Sequence, residues 1–199
     1  MSTELEQEAN TTSLSFKDIT EGLSERDIPK VKFIEDITQF STSFEPSASA
    51  ELMIGAFSDL FGKLKGVEGT LSQRAKLIQS KIPEIEKSLQ LVKFLQQKES
   101  SDDSNLSTRY NLADMLFAKA NVDCASGIVN LWLGANVMLE YTYQEAIDLL
   151  TTKLTKAQKD LKDSTEDLAL VRNQIITAEV NISRIYNWDV RRKREESNK

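Results

Sequence analysis

The sequence predicts an α+β chain that is mainly α: two long antiparallel helices with a small β module between them. Three observations predict it. The first is a seam from Ile147 to Ile185, where a small or apolar residue falls at every 3-4 step of a heptad: Ile147, Leu150, Leu154, Ala157, Leu161, Ser164, Leu168, Val171, Ile175, Ala178, Ile182 and Ile185. A stripe that recurs every 3.5 residues is too narrow for a globular core and needs a second helix alongside it. The second is a matching seam through Phe57, Leu60, Leu64, Val67 and Leu71, which slips once in phase and continues as Ala75, Ile78, Ile82, Ile85, Leu89 and Val92. The two seams are close in length, so a hairpin of two helices is the simplest object. The third is composition: 3 Pro and 7 Gly in 199 residues suit long helices and not a loop-rich fold.

Taken in order, residues 1–27 are rich in Ser, Thr, Glu and Asn with few large apolar groups, and read as a disordered leader. Residues 28–45 form an apolar N-terminal segment. Ile28, Val31, Phe33, Ile34, Ile37, Phe40 and Phe44 are too dense for a free tail, Pro29 disfavours helix at its entry, and the segment is expected to pack on something. Helix one is expected over 46–98, with Ser47 or Ser49 as cap and Glu51 in the acidic first turn. Pro83 lies inside it and predicts a kink costing about 3 kcal/mol. The polar run from Glu99 to Asn105 reads as a loop and opens a module over 99–142. Within it, the runs Ile128 to Leu133 and Val137 to Thr142 flank Gly134, Ala135 and Asn136, a β-hairpin pattern. Leu112 to Ala120 stays open: Leu112, Met115 and Leu116 have helical spacing, whereas Tyr110, Phe117 and Val122 suit a strand. Helix two is expected over 143–192, followed by a charged tail at 193–199. Lys153, Lys156, Lys159 and Lys162 interleave there with Asp160, Asp163, Glu166 and Asp167, a solvated face. At about 1.5 Å per residue its seam is roughly 58 Å long.

Composition also narrows the chemistry. A lone Cys124 allows no internal disulfide and no metal cage, which points to a reducing compartment. No stretch reaches the roughly 18 apolar residues that span a membrane, and the first thirty residues lack the pattern of a signal peptide, so the expected location is the cytosol or nucleus. A net charge of -6 argues against nucleic acid as the main partner. The chain has no His to serve Cys124 as a base, no Gly-rich phosphate loop, no Cys-x-x-Cys pair and no Ser/His/Asp set; no catalysis, cofactor or metal is expected. Arg191, Arg192, Lys193 and Arg194 read as dipole-favoured charge at a helix C-terminus, with an import patch or RNA contact as the sharper alternative.

Two apolar surfaces remain. Met53, Ile54 and Phe57 open helix one, while Ile185, Tyr186, Trp188 and Val190 close helix two, so a hairpin brings them together at its far end. They form either a local cap with residues 28–44 or a surface that binds apolar segments of other proteins. In the β module, Val129, Leu131, Trp132, Leu133, Gly134, Val137, Met138, Leu139 and Tyr141 carry the hairpin. A two-stranded hairpin this apolar, with unpaired edges, predicts oligomerisation through strands.

Particular residues carry a family likeness: Lys81-Ile82-Pro83-Glu84-Ile85 in helix one, Leu112-Ala113-Asp114 and Ala118-Lys119-Ala120 in the middle, the block Leu131 to Tyr141, Tyr186-Asn187-Trp188-Asp189-Val190 at the end, and Ile28-Pro29 with Phe33-Ile34-Glu35-Asp36. With these, the sequence resembles the eukaryotic alpha-class subunits of the prefoldin family from about Ile28 to Arg192. The resemblance implies two β-hairpins between the helices, making Thr108 to Val122 a strand pair. The fold class is then α+β, mainly α, a long antiparallel coiled-coil hairpin whose central β-hairpins assemble into an oligomeric β-barrel. It further implies a hetero-hexamer with other alpha- and beta-class prefoldin subunits, acting as an ATP-independent co-chaperone. Its coiled-coil tips, here Met53, Ile54, Phe57, Ile185, Tyr186 and Trp188, would capture unfolded actin and tubulin and deliver them to the cytosolic chaperonin. A rival reading is a static tether or scaffold that docks a folded partner through the β module. A more distant one is a nucleic-acid adaptor using residues 191–194.

Overall fold

A computed structural model of the chain describes residues 14–24, 26–44, 47–99 and 105–197. Two helices dominate, α3 (Ala50–Glu99) and α4 (Tyr143–Ser197). The chain divides into two compact units, Met1–Ala75 with Asp163–Lys199, and Lys76–Lys162, and each helix contributes to both.

In the first unit α3 and α4 run antiparallel. Glu68 pairs with Arg172 at 2.9 Å, and the earlier α3 residues Met53 and Phe57 share one buried cluster with the later α4 residue Ile185. Ser49 caps α3: its Oγ accepts from the Leu52 amide at 3.2 Å, one of the two caps the sequence offers. Over this helix pair lies the N-terminal stretch. It comprises α1 (Phe16–Ile19), β1 (Thr20–Leu23), β2 (Pro29–Val31) antiparallel to β1, and α2 (Ile37–Thr42). Ile19, Ile28, Val31, Ile34, Ile37 and Phe40 are all buried against the helices. The expected disorder up to residue 27 therefore does not hold for residues 14–24. A capping box between Ser15 and Asp18 starts α1, and burial of Ile19 anchors it. Of the expected leader, residues 1–13 and 25 lie outside the described residues.

In the second unit Leu89, Val92 and Leu95 of α3 pack with Ala146 and Leu150 of α4. Two antiparallel hairpins accompany them: β3 (Asn105–Ala113) with β4 (Leu116–Asp123), and β5 (Ile128–Gly134) with β6 (Val137–Thr142). A single 3-10 turn, Cys124–Ser126, links the hairpins. The region left open between helix and strand is thus a strand pair. The β5–β6 turn is the one the sequence marks, with Gly134, Ala135 and Asn136 at φ of 104°, 50° and 61°. Each hairpin is a separate two-stranded sheet, so one chain alone closes no barrel.

The helix bounds differ slightly from expectation. α3 starts at Ala50 rather than 46, and Pro46 and residues 100–104 lie outside the described residues. It runs unbroken through Pro83, whose missing N–H leaves the Gln79 carbonyl without its usual partner. α4 continues past Arg192 to Ser197, because Asp189 pairs with Arg192 and Lys193, and Arg192 with Glu196, along the helix.

Candidate functional site

The second unit exposes apolar side chains on both of its hairpins. In the β5–β6 hairpin Val129 faces Tyr141 and Leu131 faces Leu139, while on the other side Trp132 faces Met138. Val129, Leu131 and Tyr141 rest against the helix cluster. Trp132 stays 60% exposed, and Leu133, Gly134, Val137, Met138 and Leu139 are exposed with it. In the β3–β4 hairpin Leu106 and Val122 turn toward the helices, and Tyr110, Leu112, Leu116 and Phe117 are exposed. Met115, at the turn with φ 65°, is 94% exposed. No further strand pairs with the outer edges of either hairpin among the described residues.

The junction between hairpins and helix is fixed by Tyr143. Its amide donates to the Gly127 carbonyl at 3.2 Å, and its hydroxyl to the Cys124 carbonyl at 3.1 Å. Burial raises its phenol pKa. One residue earlier, the Thr142 amide and hydroxyl donate to Glu145 Oε2 at 3.0 and 2.9 Å, which holds that carboxyl below its ordinary range. Cys124 is fully buried in this junction, in keeping with a structural thiol.

The first unit places the six expected client-binding residues unevenly. Met53, Phe57 and Ile185 are at 0% exposure, Ile54 and Trp188 are half-buried, and Tyr186 is 61% exposed. Ile28, Val31, Ile34, Ile37 and Phe40 share the buried cluster of Met53, Phe57 and Ile185. Met53, Phe57 and Ile185 are core residues here rather than an open surface, because the N-terminal stretch lies over them. Replacing Met53 or Ile185 by Ser would test the core before it tested any binding surface.

What holds that stretch is a set of α4 side chains, of which sequence reasoning missed Gln174, Asn181 and Arg184. Gln174 Oε1 accepts from the Val31 amide at 2.7 Å, and the fully buried Asn181 accepts from the Ile34 amide at 3.2 Å and donates to the Lys32 carbonyl at 2.7 Å. Arg184 donates to the Glu35 carbonyl at 2.7 Å and stacks on Phe33, and Trp188 Nε1 donates to the Thr38 hydroxyl at 3.0 Å. Ahead of β2, Arg26 reaches Asp167 and Glu166, each at 2.8 Å. The signal was present: Gln174, Asn181 and Trp188 recur every seven residues beside the seam.

The basic run is partly neutralised. Arg192 and Lys193 pair with Asp189, whose carboxyl is held low chiefly by Lys193, and Arg192 also stacks on Trp188. No cluster of His, Cys, Asp and Glu suited to a metal occurs among the described residues, and no described helix is long and apolar enough to cross a membrane.

Comparison with known proteins agrees with this geometry. The prefoldin family model, described as Prefoldin subunit, matches residues 64–188. Prefoldin subunit 3 of Mus musculus is 39% identical over 169 residues, covering 85% of each chain. Prefoldin subunit 3 of Saccharomyces cerevisiae is 36% identical over 177 residues, covering 85% of this chain and 87% of its own. The probable prefoldin subunit 3 of Schizosaccharomyces pombe is 48% identical over 134 residues, covering 67% and 77%. With the family matched across more than half its length and relatives this similar over most of it, the chain belongs to the prefoldin family of co-chaperone subunits.

Proposed function

We propose that the chain joins other alpha- and beta-class prefoldin subunits in a hetero-hexamer whose strands close into a β-barrel. In the cytosol this assembly captures non-native proteins such as actin and tubulin without ATP and delivers them to the cytosolic chaperonin. The observation that carries this reading is the pair of hairpins with unpaired edges and exposed Trp132, Met138, Leu139 and Phe117. Such a surface is covered best by strands of other chains. On the client side, Tyr186, Ile176 and Val180 are exposed on α4, and several such surfaces in one assembly would hold a chain by avidity.

The test is light-scattering mass and aggregation suppression for this chain mixed with candidate beta-class subunits, against chemically unfolded actin without ATP. A hexamer that keeps actin soluble supports the proposal, and Tyr186→Ser should then weaken suppression while leaving the mass unchanged. A monodisperse monomer with no effect on actin, but with affinity for one folded partner, would favour the static tether.

A further inference from the structure

The groove between α3 and α4 in the first unit already holds an extended chain, and the manner of holding identifies what it accepts. Four hydrogen bonds run from Gln174, Asn181 and Arg184 to residues 31–35, and all four end on main-chain amides or carbonyls. None of the four reads a side chain, and Arg184 adds a side-chain contact on the Phe33 ring. Val31 and Ile34 add buried apolar contacts, which any apolar residues at a three-residue spacing could supply. The fit is incomplete: an open apolar pocket of about 110 Å³ remains between Phe16, Ile28 and Pro29 on one side and Leu60, Leu64 and Val67 on the other.

We infer that this face of α4 is a backbone-reading site for an extended apolar segment of a non-native polypeptide, and that residues 28–35 are an internal occupant displaced by the incoming chain. The inference rests on the holdase reading proposed above. A holdase must bind clients of unrelated sequence, and recognition through main-chain amides and carbonyls is independent of sequence, as in strand addition to a sheet edge. The end of β2 at Val31 is satisfied by the side chain of Gln174, and the extended residues Lys32 and Ile34 that follow it by that of Asn181. A second chain can therefore take over these bonds one for one without melting a helix. When the internal segment leaves, it uncovers Met53, Phe57 and Ile185, now fully buried, as apolar contacts for the client. While it stays, the empty groove is masked against self-association.

The experiment uses the assembled hexamer and chemically unfolded actin. Amide exchange at Val31 and Ile34 should quicken at least tenfold when actin co-elutes with the hexamer, with exchange in β5 and β6 unchanged. Unchanged exchange at Val31 and Ile34 with actin bound would overturn the inference and leave the holdase reading standing. Absence of actin from the hexamer peak would overturn both. In a second arm, Arg26→Cys and Asp167→Cys are joined by a short bismaleimide, Cys124 being buried and a spectator. The joined protein should capture at least threefold less actin than the same variant unjoined. Equal capture would overturn displacement.

Discussion

Asn181 and Lys32 stand 149 residues apart in sequence, yet the Asn181 amide donates to the Lys32 carbonyl at 2.7 Å. Its oxygen accepts from Ile34, so one fully buried side chain has both ends satisfied by the N-terminal stretch. Asn181→Leu would leave an amide and a carbonyl unpartnered, which is more damaging than losing the bonds alone. The expected loss is roughly 2 kcal/mol. Urea unfolding followed by circular dichroism measures it; a variant as stable as the parent would show that water reaches these groups.

Arg26→Glu would set a fourth carboxylate beside Asp163, Glu166 and Asp167. The site is exposed, so the expected effect is local: faster amide exchange from Thr20 to Val31, large in low salt and shrinking as salt screens the charges. The global unfolding midpoint should stay put. Exchange indifferent to salt would show that apolar burial alone holds this turn.

Glu145 supplies a pH dependence with a definite sign. Its folded pKa is depressed, first by the Thr142 amide and then by the Thr142 hydroxyl. A depressed carboxylate contributes stability that is fully present above its unfolded pKa and lost as pH falls through the folded one. Between about pH 6 and 3 the melting temperature should fall, and Glu145→Gln should flatten part of that slope. Glu68 and Asp189, also depressed, would maintain the remainder.

Trp132→Asp should leave the helical signal of the isolated chain unchanged, because the indole is 60% exposed there. It should prevent incorporation into the hexamer. Co-purification with partner subunits at normal yield would remove Trp132 from the proposed interface.

Pro83→Ala restores an amide in the middle of α3. The second unit should gain up to about 3 kcal/mol, the usual penalty for an interior proline. A midpoint that does not rise would mean that Pro83 relieves a conflict elsewhere in the helix.

Much of the fold was legible because it is periodic. The Ile147 to Ile185 seam fixes α4, and Gly134-Ala135-Asn136 announces the β5–β6 turn through residue types that tolerate positive φ. The β3–β4 turn was opaque for the same reason inverted: Met115 takes φ 65°, a conformation methionine does not advertise. The N-terminal stretch was half legible. Its apolar density signalled packing, but the partners Gln174 and Asn181 are polar residues flanking an apolar seam, and periodicity discounts them. The burial of Met53, Phe57 and Ile185 was least legible, since these residues look the same in sequence whether covered or bare.

The long separation between Lys32 and Asn181 has a consequence for synthesis. A ribosome adding about 5–20 residues per second needs roughly 7–30 s to make the intervening chain. Through that interval Ile28, Val31, Ile34, Ile37 and Phe40 emerge before the α4 surface that will bury them exists. Each newborn copy of this co-chaperone subunit is thus for a time an unshielded apolar chain, and must itself be kept from aggregating until its last helix is complete.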